Sequence, residues 1–326
     1  MAFFGVKSWE RLAIEKEISN LDSVGVGIFE KEVSEMLETA KQYAILSISI
    51  HSGIGKDLLE KLPELKMIAT RSTGMDHVDL EECKKRKIMV ANVPGYGERS
   101  VAEYAVALML AVAKKIIPAH QSIEEGEFSP EGLTGIDLVG KTLGVVGVGK
   151  IGENVVRIGK GLGMKVIGVE KTRDPKLAKK LGFKYADLET CLKEADVVTL
   201  HVPSNKETYH LINKKNIKLM KPTAILINVC RGPVVETGAI LTALNNKKLW
   251  AAGLDVTEEE DQVENISMVT SKAPTRDDLQ EILSYHLLRD RDDVVFTPHN
   301  AFNTREAIGR IIKTTVENIE EFIRKG

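Results

Sequence analysis

Two kinds of hydrophobic pattern alternate along this chain. Short runs of consecutive apolar residues are typical of strands buried on both faces of a parallel sheet, and stretches with apolar residues three or four positions apart are typical of the helices that cover it. Strands are predicted at 44–50, 66–70, 88–91, 143–146, 166–169, 196–200, 224–228, 251–255 and 294–297, and early helices at 57–62 and 80–86. The alternation predicts an α/β fold.

The most informative unit covers residues 143–170, where a strand, a glycine-rich turn, a helix, a second strand and an acid follow in order. Gly147 would permit the tight turn, Gly149 would let the backbone approach a pyrophosphate, and Gly152 would let helix and strand pack closely. The N–H groups at the helix start would face the phosphates. Glu170 would accept the ribose hydroxyls and repel a 2′-phosphate, which favours NAD over NADP. The alternative is a purely structural βαβ unit.

A domain boundary is expected near Ser100. Ser100 and Glu103 have the spacing of a capping box with Ser100 as the N-cap, and the helix predicted behind them, at 101–117, is apolar nearly all round. Such a helix is buried, so we expect it between domains or between subunits. Residues 1–99 form an α/β domain that lacks a glycine-rich phosphate turn and is not expected to hold the dinucleotide, and 124–137 is expected to be a loop.

Composition narrows the function. A length of 326 residues suggests two domains, and a net charge of −2 gives no argument for nucleic acid or an anionic membrane surface. No apolar run reaches about 18 residues, so no membrane span is expected, and the N-terminus is too charged for a signal peptide. Cys83, Cys191 and Cys230 are far apart, so we expect no disulfide framework, no metal site and a reducing cytoplasm.

Three residues whose side chains can bind anions or exchange protons lie at or just after the carboxyl ends of predicted strands: Arg231, Asp255 and His299. Ligands of parallel sheets bind at these strand ends. Arginine carries a planar fork that holds a carboxylate, and histidine exchanges protons near neutral pH. Glu260, in the loop after Asp255, would favour the imidazolium form if it contacts His299. With a nicotinamide, these groups suit oxidation of a 2-hydroxy acid: the arginine holds the acid group, the histidine takes the hydroxyl proton, and the hydride goes to the nicotinamide.

Each of these residues also has a plainer interpretation. Arg231 could form a surface salt bridge, His299 could sit in a capped turn, and the acidic run 258–261 could be a solvated loop. Thr73 and Gly74 lie in a turn whose N–H groups could hold a carboxylate, or in an ordinary strand–helix turn. Tyr96 could be a ligand contact or a surface residue. The remaining histidines are taken as structural or exposed: His77, His120, His201, His210 and His286.

Several motifs in order make the chain resemble the D-isomer-specific 2-hydroxyacid dehydrogenases over nearly its whole length. They are the segment 70–80 (TRSTGMDHVDL), the segment 100–103 (SVAE), the Gly147 turn, and the segments 228–232 (NVCRG), 253–256 (GLDV) and 297–302 (TPHNAF). The 301–304 segment and the long stretch before His299 are most similar to the D-lactate dehydrogenase branch. The family fold would be a Rossmann-type NAD domain at 100–299, with a flavodoxin-like substrate domain from 1–99 and 300–326.

The resemblance also implies roles for matching residues. Arg231 would bind the substrate carboxylate, His299 would be the acid/base and Glu260 would tune it. The backbone N–H groups of Thr73 and Gly74 would meet the substrate, and the remaining expected substrate contacts are His51, Tyr96 and Phe302. Asp255 would contact the nicotinamide end of the NAD, and the rest of the cofactor would be lined by Lys150, Ile151, Glu170, Val202, Pro203, Thr208, Val229 and Cys230. Relatives usually form dimers through the coenzyme domain, so a homodimer is expected.

One departure affects the substrate: His51 stands where lactate-specific members usually carry tyrosine. The main hypothesis is an NAD-dependent D-2-hydroxyacid dehydrogenase acting on a small, pyruvate-like 2-keto acid. A phosphite or other oxyanion dehydrogenase on the same fold is an alternative, since His51 could favour a more anionic substrate. An NAD-sensing, corepressor-like binding protein is another. The charged segment 262–293 could cover the substrate cleft or only decorate it.

Overall fold

A computed structural model of the chain describes residues 1–19, 25–258 and 276–325. The chain divides into two compact units. The first consists of Met1–Tyr96 together with Asn303–Gly326, and the second of Gly97–Phe302. Each unit contains one sheet whose described strand pairs are all parallel, so the predicted α/β class is confirmed.

The strands of the first unit are short, and the three central ones are buried. They are β1 (Ala2–Phe3), β2 (Gly27–Ile28), β3 (Ile45–Ile48), β4 (Met67–Thr70) and β5 (Met89–Ala91). Their order is β2-β1-β3-β4-β5, which is the flavodoxin-like arrangement. The strands of the second unit are β6 (Thr142–Val146), β7 (Lys165–Val169), β8 (Lys184–Ala186), β9 (Val197–Leu200), β10 (Ile225–Asn228), β11 (Ala251–Leu254) and β12 (Val294–Phe296). Their order, β12-β11-β10-β9-β6-β7-β8, is that of a Rossmann sheet with one added strand.

Helices connect the strands. In chain order they are α1 (Ser8–Ile18), α2 (Leu37–Ala40), α3 (Lys56–Leu59), α4 (Leu80–Lys85), α5 (Glu98–Ala113), α6 (Ile116–Glu124), α7 (Lys150–Gly161), α8 (Pro175–Leu181), α9 (Leu188–Glu194), α10 (Thr237–Asn245), α11 (Arg276–Arg289) and α12 (Arg305–Lys325). Two 3-10 turns, Ile217–Leu219 and Gly232–Val234, lie among them. Of these helices, α1 to α4 and α12 belong to the first unit.

The core of the first unit joins distant parts of the chain. Phe3 of β1 and Met67 of β4 lie in one buried cluster with Ile312, Val316 and Ile319 of α12. Apolar residues at three- and four-residue spacing give α12 one apolar face, and that face covers the sheet. The helix therefore completes a core that the first strand begins.

The core of the second unit has two faces, one on each side of the Rossmann sheet. Leu143 and Val145 of β6 lie in a cluster with apolar residues of α5, whereas the next residue, Val146, lies in the opposite cluster with Leu200 and Leu226. Alternate residues of a strand point to opposite faces, so burial on both faces explains the continuous apolar run. The strands predicted from such runs are confirmed.

One helix differs from the sequence prediction. The capping box at Ser100 is wrong, because α5 begins at Glu98 with Gly97 as its N-cap, and Ser100 lies buried inside the helix. The tight turn before Gly97 leads directly into helical backbone. The helix also ends earlier, at Ala113, since Lys115 adopts a left-handed φ of +53° and a separate helix, α6, follows. The loop predicted at 124–137 begins where α6 ends, at Glu124.

Candidate active site

The glycine-rich turn between β6 and α7 has the geometry that a dinucleotide requires. Gly147 has φ +92°, and a Cβ atom there would lie 2.5 Å from the carbonyl oxygen of His201. A Cβ on Gly152 would lie 2.0 Å from the carbonyl oxygen of Gly147. A Cβ on Gly149, the N-cap of α7, would meet nothing within 4 Å. Two glycines are thus needed for packing, and the third leaves open space where phosphates can approach the helix N-terminus.

Glu170 lies at the end of β7, beside that turn. Its two carboxylate oxygens accept hydrogen bonds from the backbone N–H groups of Val148 and Lys171, each at 2.9 Å. A carboxylate can accept about four hydrogen bonds, so this one keeps capacity for ribose hydroxyls. The Glu170 carboxylate can therefore hold the glycine turn in place and also accept hydrogen bonds from the hydroxyls of the cofactor ribose.

The other predicted cofactor residues lie around the same edge of the sheet. Lys150 begins α7 and pairs with Glu98 at 2.9 Å, and Ile151 packs against the core cluster of that face. Val202 and Pro203 follow β9, and the hydroxyl of Thr208 donates to the carbonyl oxygen of Pro203 at 2.5 Å. This bond closes the turn after β9 and brings Thr208 back to the strand end.

The turn after β10 is held by one buried side chain. Val229, Cys230 and Arg231 follow Asn228, whose Oδ1 accepts from the backbone N–H of Cys230 and whose Nδ2 donates to the carbonyl oxygen of Arg231, both at 3.1 Å. Burial raises the pKa of the Cys230 thiol to about 11. This cysteine therefore stays a neutral thiol near neutral pH and is unsuited to act as a nucleophile.

Arg231, Asp255 and His299 follow the carboxyl ends of three adjacent strands. Asn228 of β10 pairs with Leu254 of β11, which pairs in turn with Phe296 of β12. The three residues lie one to three positions beyond that common level. Adjacent strands are about 4.8 Å apart, so β10 and β12 are separated by about 10 Å, a distance that a small substrate and two long side chains can span.

Asp255 anchors the loop that carries His299. The carboxylate, 1 % exposed, accepts hydrogen bonds from the hydroxyl of Thr297 at 2.6 Å and from the backbone N–H groups of Asn300 and Ala301 at 2.8 Å. The backbone N–H of His299 donates to the carbonyl oxygen of Asp255 at 2.8 Å. Burial raises the pKa of the Asp255 carboxyl, while these hydrogen bonds act to lower it.

His299 has an unusual backbone and an aromatic neighbour. Its φ of +49° lies in the left-handed region, which non-glycine residues adopt at some energetic cost. The loop anchored by Asp255 holds it there. The ring of Phe302 meets the imidazole edge-on, with centroids 6.4 Å apart. Arg231, half-buried, donates from Nη1 to the carbonyl oxygen of Cys230 at 2.7 Å.

His201 lies directly behind the glycine turn. Its Nε2 is 2.9 Å from the hydroxyl of Thr199, and its Nδ1 is shielded from solvent without a hydrogen-bond partner among the described residues. Burial lowers the pKa of His201 to about 3, so the ring is neutral across the physiological range. The interpretation of this histidine as structural or exposed stays a prediction.

The predicted substrate residues of the first unit follow its own strands. Thr73 and Gly74 come after β4, and the hydroxyl of Thr73 donates to the carbonyl oxygen of Val93 at 2.8 Å. His51 follows β3, where its backbone N–H donates to the hydroxyl of Ser49 at 3.1 Å. The carbonyl oxygen of Tyr96 accepts from Arg310 of α12 at 2.8 Å. They lie on loops at the carboxyl edge of this sheet.

Of the acidic run 258–261, the structure describes Glu258 alone. Glu260 lies outside the described residues. A solvated loop was the plainer of the interpretations for this run, but Glu258 is only 6 % exposed, and its carboxylate contacts His210 at 2.5 Å. The solvated-loop interpretation is therefore wrong for Glu258. No local signal could have revealed its burial, because its partners lie far from it in the sequence.

Among residues 1–19, 25–258 and 276–325, no group of three or more histidine, cysteine, aspartate or glutamate side chains is arranged to hold a metal ion. Within the same ranges, each helix is either too short or too polar to cross a bilayer.

Comparison with known proteins gives the family. Residues 106–301 match the model for the NAD-binding domain of the D-isomer specific 2-hydroxyacid dehydrogenases. The glyoxylate reductase of Thermococcus litoralis is 45% identical over 232 residues, which are 69% of this chain and 70% of that protein. A 2-hydroxyacid dehydrogenase homolog of Zymomonas mobilis is 35% identical over 98% of this chain and 96% of its own.

A solved structure of a dehydrogenase is similar to the chain over nearly its whole length. The D-lactate dehydrogenase of Aquifex aeolicus, complexed with NAD and lactic acid, superposes with a TM-score of 0.87 at 34% identity and covers 99% of this chain and 95% of its own. The chain belongs to the D-isomer-specific 2-hydroxyacid dehydrogenase family. It is an NAD-dependent oxidoreductase of 2-hydroxy acids.

Proposed function

We propose that the chain reduces a small, pyruvate-like 2-keto acid to its D-2-hydroxy acid, with NADH as the hydride donor. The observation that carries this proposal is the placement of Arg231, Asp255 and His299 at the ends of three adjacent strands, on the sheet that bears the dinucleotide turn. An anion-binding group and a proton-exchanging group at one sheet edge match the two ends of a 2-keto acid.

Arg231 is proposed to hold the substrate carboxylate. Its guanidinium forms two parallel hydrogen bonds to a carboxylate, which fixes both the position and the plane of the substrate. Asn228 holds the backbone of Arg231 through Nδ2, at 3.1 Å from the carbonyl oxygen. A fixed backbone position for Arg231 matters for catalysis, because a misplacement of the substrate by about 1 Å can cost about 100-fold in rate.

His299 is proposed to exchange the proton. In the reductive direction the imidazolium donates to the carbonyl oxygen as the alkoxide develops, and in the oxidative direction the neutral ring takes the hydroxyl proton. When bound at the glycine turn, NAD would provide the nicotinamide that supplies or accepts the hydride. The family resemblance assigns Glu260 as the acid that keeps His299 protonated, and that assignment stays a proposal.

Further substrate contacts are proposed from the resemblance. The N–H groups of Thr73 and Gly74 would donate to the carboxylate, while His51, Tyr96 and Phe302 would shape the space around the substrate side chain. Asp255 is proposed to act at the nicotinamide end through the loop that it anchors, since three hydrogen bonds already occupy its carboxylate.

Glyoxylate is a second candidate substrate. The relative from Thermococcus litoralis, at 45% identity over 69% of this chain, is a glyoxylate reductase, whereas the Aquifex aeolicus structure holds lactic acid. Glyoxylate lacks the methyl group of pyruvate, so the two acids differ only at the end of the substrate away from the carboxylate. His51, in place of the expected tyrosine, is the residue proposed to decide between them.

A substrate panel tests the proposal. NADH oxidation is measured with pyruvate, glyoxylate, hydroxypyruvate, 2-ketobutyrate and phenylpyruvate, and NAD reduction is measured with phosphite. We expect turnover with the small 2-keto acids, and a product of D configuration wherever the product is chiral, as with pyruvate. Turnover with phosphite alone would favour an oxyanion dehydrogenase, and tight NADH binding without turnover on any acid would favour an NAD-sensing binding protein.

Replacing Arg231 by glutamine is the matching variant test. Loss of a charged, bidentate contact removes about 3 kcal/mol, so kcat/KM for the 2-keto acid should fall about 100-fold while NADH binding is retained. Arg289→Gln, which removes an exposed arginine paired with Asp290, is the control and should leave kinetics unchanged. Wild-type kcat/KM in Arg231→Gln would remove this residue from the mechanism.

The protein is also proposed to form a homodimer through the second unit and to work in the cytoplasm. None of the residues of α6 is buried, and the helix carries two large apolar side chains that are more than half exposed. They are Ile116, at 54%, and Ile123, at 52%. Nearby in the sequence, Phe128 is 95% exposed. Apolar side chains of this size on one segment support a contact with a second subunit.

A further inference from the structure

Glu258 is held by two donors from different segments. Its Oε1 lies 2.5 Å from Nε2 of His210, and its Oε2 accepts from the backbone N–H of Thr237 at 2.7 Å. A carboxylate only accepts, so His210 donates through Nε2. Thr237 is the first residue of α10, and the positive end of that helix dipole stabilises the buried negative charge.

The partners of Glu258 hold a further turn together. His210 has a left-handed φ of +48°, and its backbone N–H donates to the carbonyl oxygen of Pro233 at 2.8 Å. Asn213 donates from Nδ2 to the carbonyl oxygen of His210 at 2.9 Å. Glu258 therefore connects three segments of the second unit: the turn after β9, the turn after β10 and the segment after β11.

The backbone beside Arg231 rests directly on the segment that carries Glu258. A Cβ atom on Gly232 would lie 1.9 Å from the carbonyl oxygen of Thr257 and 2.5 Å from the backbone nitrogen of Glu258. Asn228 in addition donates from Nδ2 to the carbonyl oxygen of Arg231 itself, at 3.1 Å. The position of the Arg231 backbone thus depends on the position of residues 257–258.

We infer that Glu258 is a positioning residue, whose contacts with His210 and Thr237 keep residues 257–258 against Gly232 and so fix the base from which Arg231 reaches the substrate. The inference rests on the proposed role of Arg231. Removing the carboxylate frees residues 257–258 from α10 and from the His210 turn. The guanidinium then loses the alignment that bidentate binding needs, and the substrate binds less tightly.

The test compares Glu258→Ala with a control carboxylate. We expect Glu258→Ala to raise the KM for the preferred 2-keto acid about tenfold, with the Kd of NADH within about twofold of wild type. Asp196→Ala is the control, since Asp196 also accepts from a backbone N–H, that of Thr142 at 2.8 Å, and from Lys221 at 2.9 Å, at the opposite edge of the same sheet. It should lower stability without changing KM.

A double-mutant comparison shows whether Glu258 acts through Arg231. In an Arg231→Gln background, Glu258→Ala should add little to the loss of kcat/KM, because the group that it positions is already gone. Full additivity, or an unchanged KM in Glu258→Ala, would overturn the inference. If Arg231→Gln itself leaves KM unchanged, the proposed function fails instead.

A milder variant keeps the test available if Glu258→Ala does not fold. In Glu258→Gln one oxygen can still accept a hydrogen bond, while the amide NH2 faces a second donor. We expect its KM between those of wild type and Glu258→Ala, and a smaller loss of thermal stability. A wild-type KM in Glu258→Gln despite lowered stability would show a merely structural role and overturn the inference.

Discussion

At the scale of single residues, the backbone of His299 has a conformation that its surroundings must stabilise. Its left-handed φ of +49° is unfavourable for a histidine, so surrounding contacts must hold it. Asp255 supplies these contacts, since its carboxylate accepts from residues on both sides of His299. Asp255 thus fixes the conformation of the loop that carries His299, the proposed proton donor.

Asp255→Asn should lower both activity and stability. The amide NH2 of asparagine would face the buried N–H of Ala301, which leaves that donor without an acceptor and costs about 2 kcal/mol of unfolding free energy. We expect kcat to fall about tenfold or more, because His299 is no longer held in place. Chemical denaturation and steady-state kinetics check both effects.

The control for that variant is Asp137→Asn. Asp137 pairs with Lys114 at the surface, and its side chain is 90% exposed, so the same change there should leave kcat and unfolding free energy nearly unaltered. A wild-type kcat in Asp255→Asn would show that the loop keeps its shape without the carboxylate.

Sequence reasoning reached some of these residues and missed others. The strand-end rule placed Arg231, Asp255 and His299 correctly beyond β10, β11 and β12, because parallel strands present their carboxyl ends at one edge. Their catalytic roles stay predictions. The rule could not reveal that Glu258 is buried, since burial depends on His210, a partner 48 residues away.

At the scale of elements, α7 is shaped by its glycines. Gly152 faces the turn so closely that any side chain would meet the carbonyl oxygen of Gly147, whereas a Cβ on Gly161, in the same helix, would meet nothing within 4 Å. The same substitution at these two positions therefore has opposite expected results.

Gly152→Ala should lower the unfolding free energy by about 2 kcal/mol or more and weaken NADH binding at least about tenfold, because the turn must move. Gly161→Ala should leave NADH binding unchanged and be neutral or stabilise by up to about 1 kcal/mol. Fluorescence titration with NADH and thermal unfolding measure both. Equal NADH affinities in the two variants would contradict the steric argument.

Most strands were predictable, and the failures have physical causes. A continuous apolar run such as 224–227 identifies a strand that is buried on both faces. The strands β1 and β2, with 2 residues each, are too short to show any periodicity. The break between α5 and α6 depends on the left-handed backbone of Lys115, a conformation that no local residue preference signals.

At the scale of the whole molecule, the exposed apolar residues of α6 lead to a prediction about assembly. Ile116 and Ile123, both more than half exposed, should lie in a dimer contact. The double variant Ile116→Glu/Ile123→Glu places charges in that contact and should shift the protein from dimer to monomer in sedimentation analysis. The matched control is Leu12→Glu, at an exposed position of α1, which should leave the assembly unchanged.

A wild-type assembly state in the double variant would remove α6 from the dimer contact. NADH binding provides a check on folding, because α6 lies outside the predicted cofactor residues. A variant that binds NADH normally and sediments as a monomer would support the proposed interface.

The position of α12 has a consequence for protein synthesis. The chain emerges from the ribosome with its amino end first. Strands β1 to β5 therefore emerge long before Ile312, Val316 and Ile319, which complete their core. Residues 97–302 form a sheet of their own within the second unit and emerge in between. The nascent first unit therefore carries an uncovered apolar face until α12 has been translated, and chaperones can bind that face in the interval.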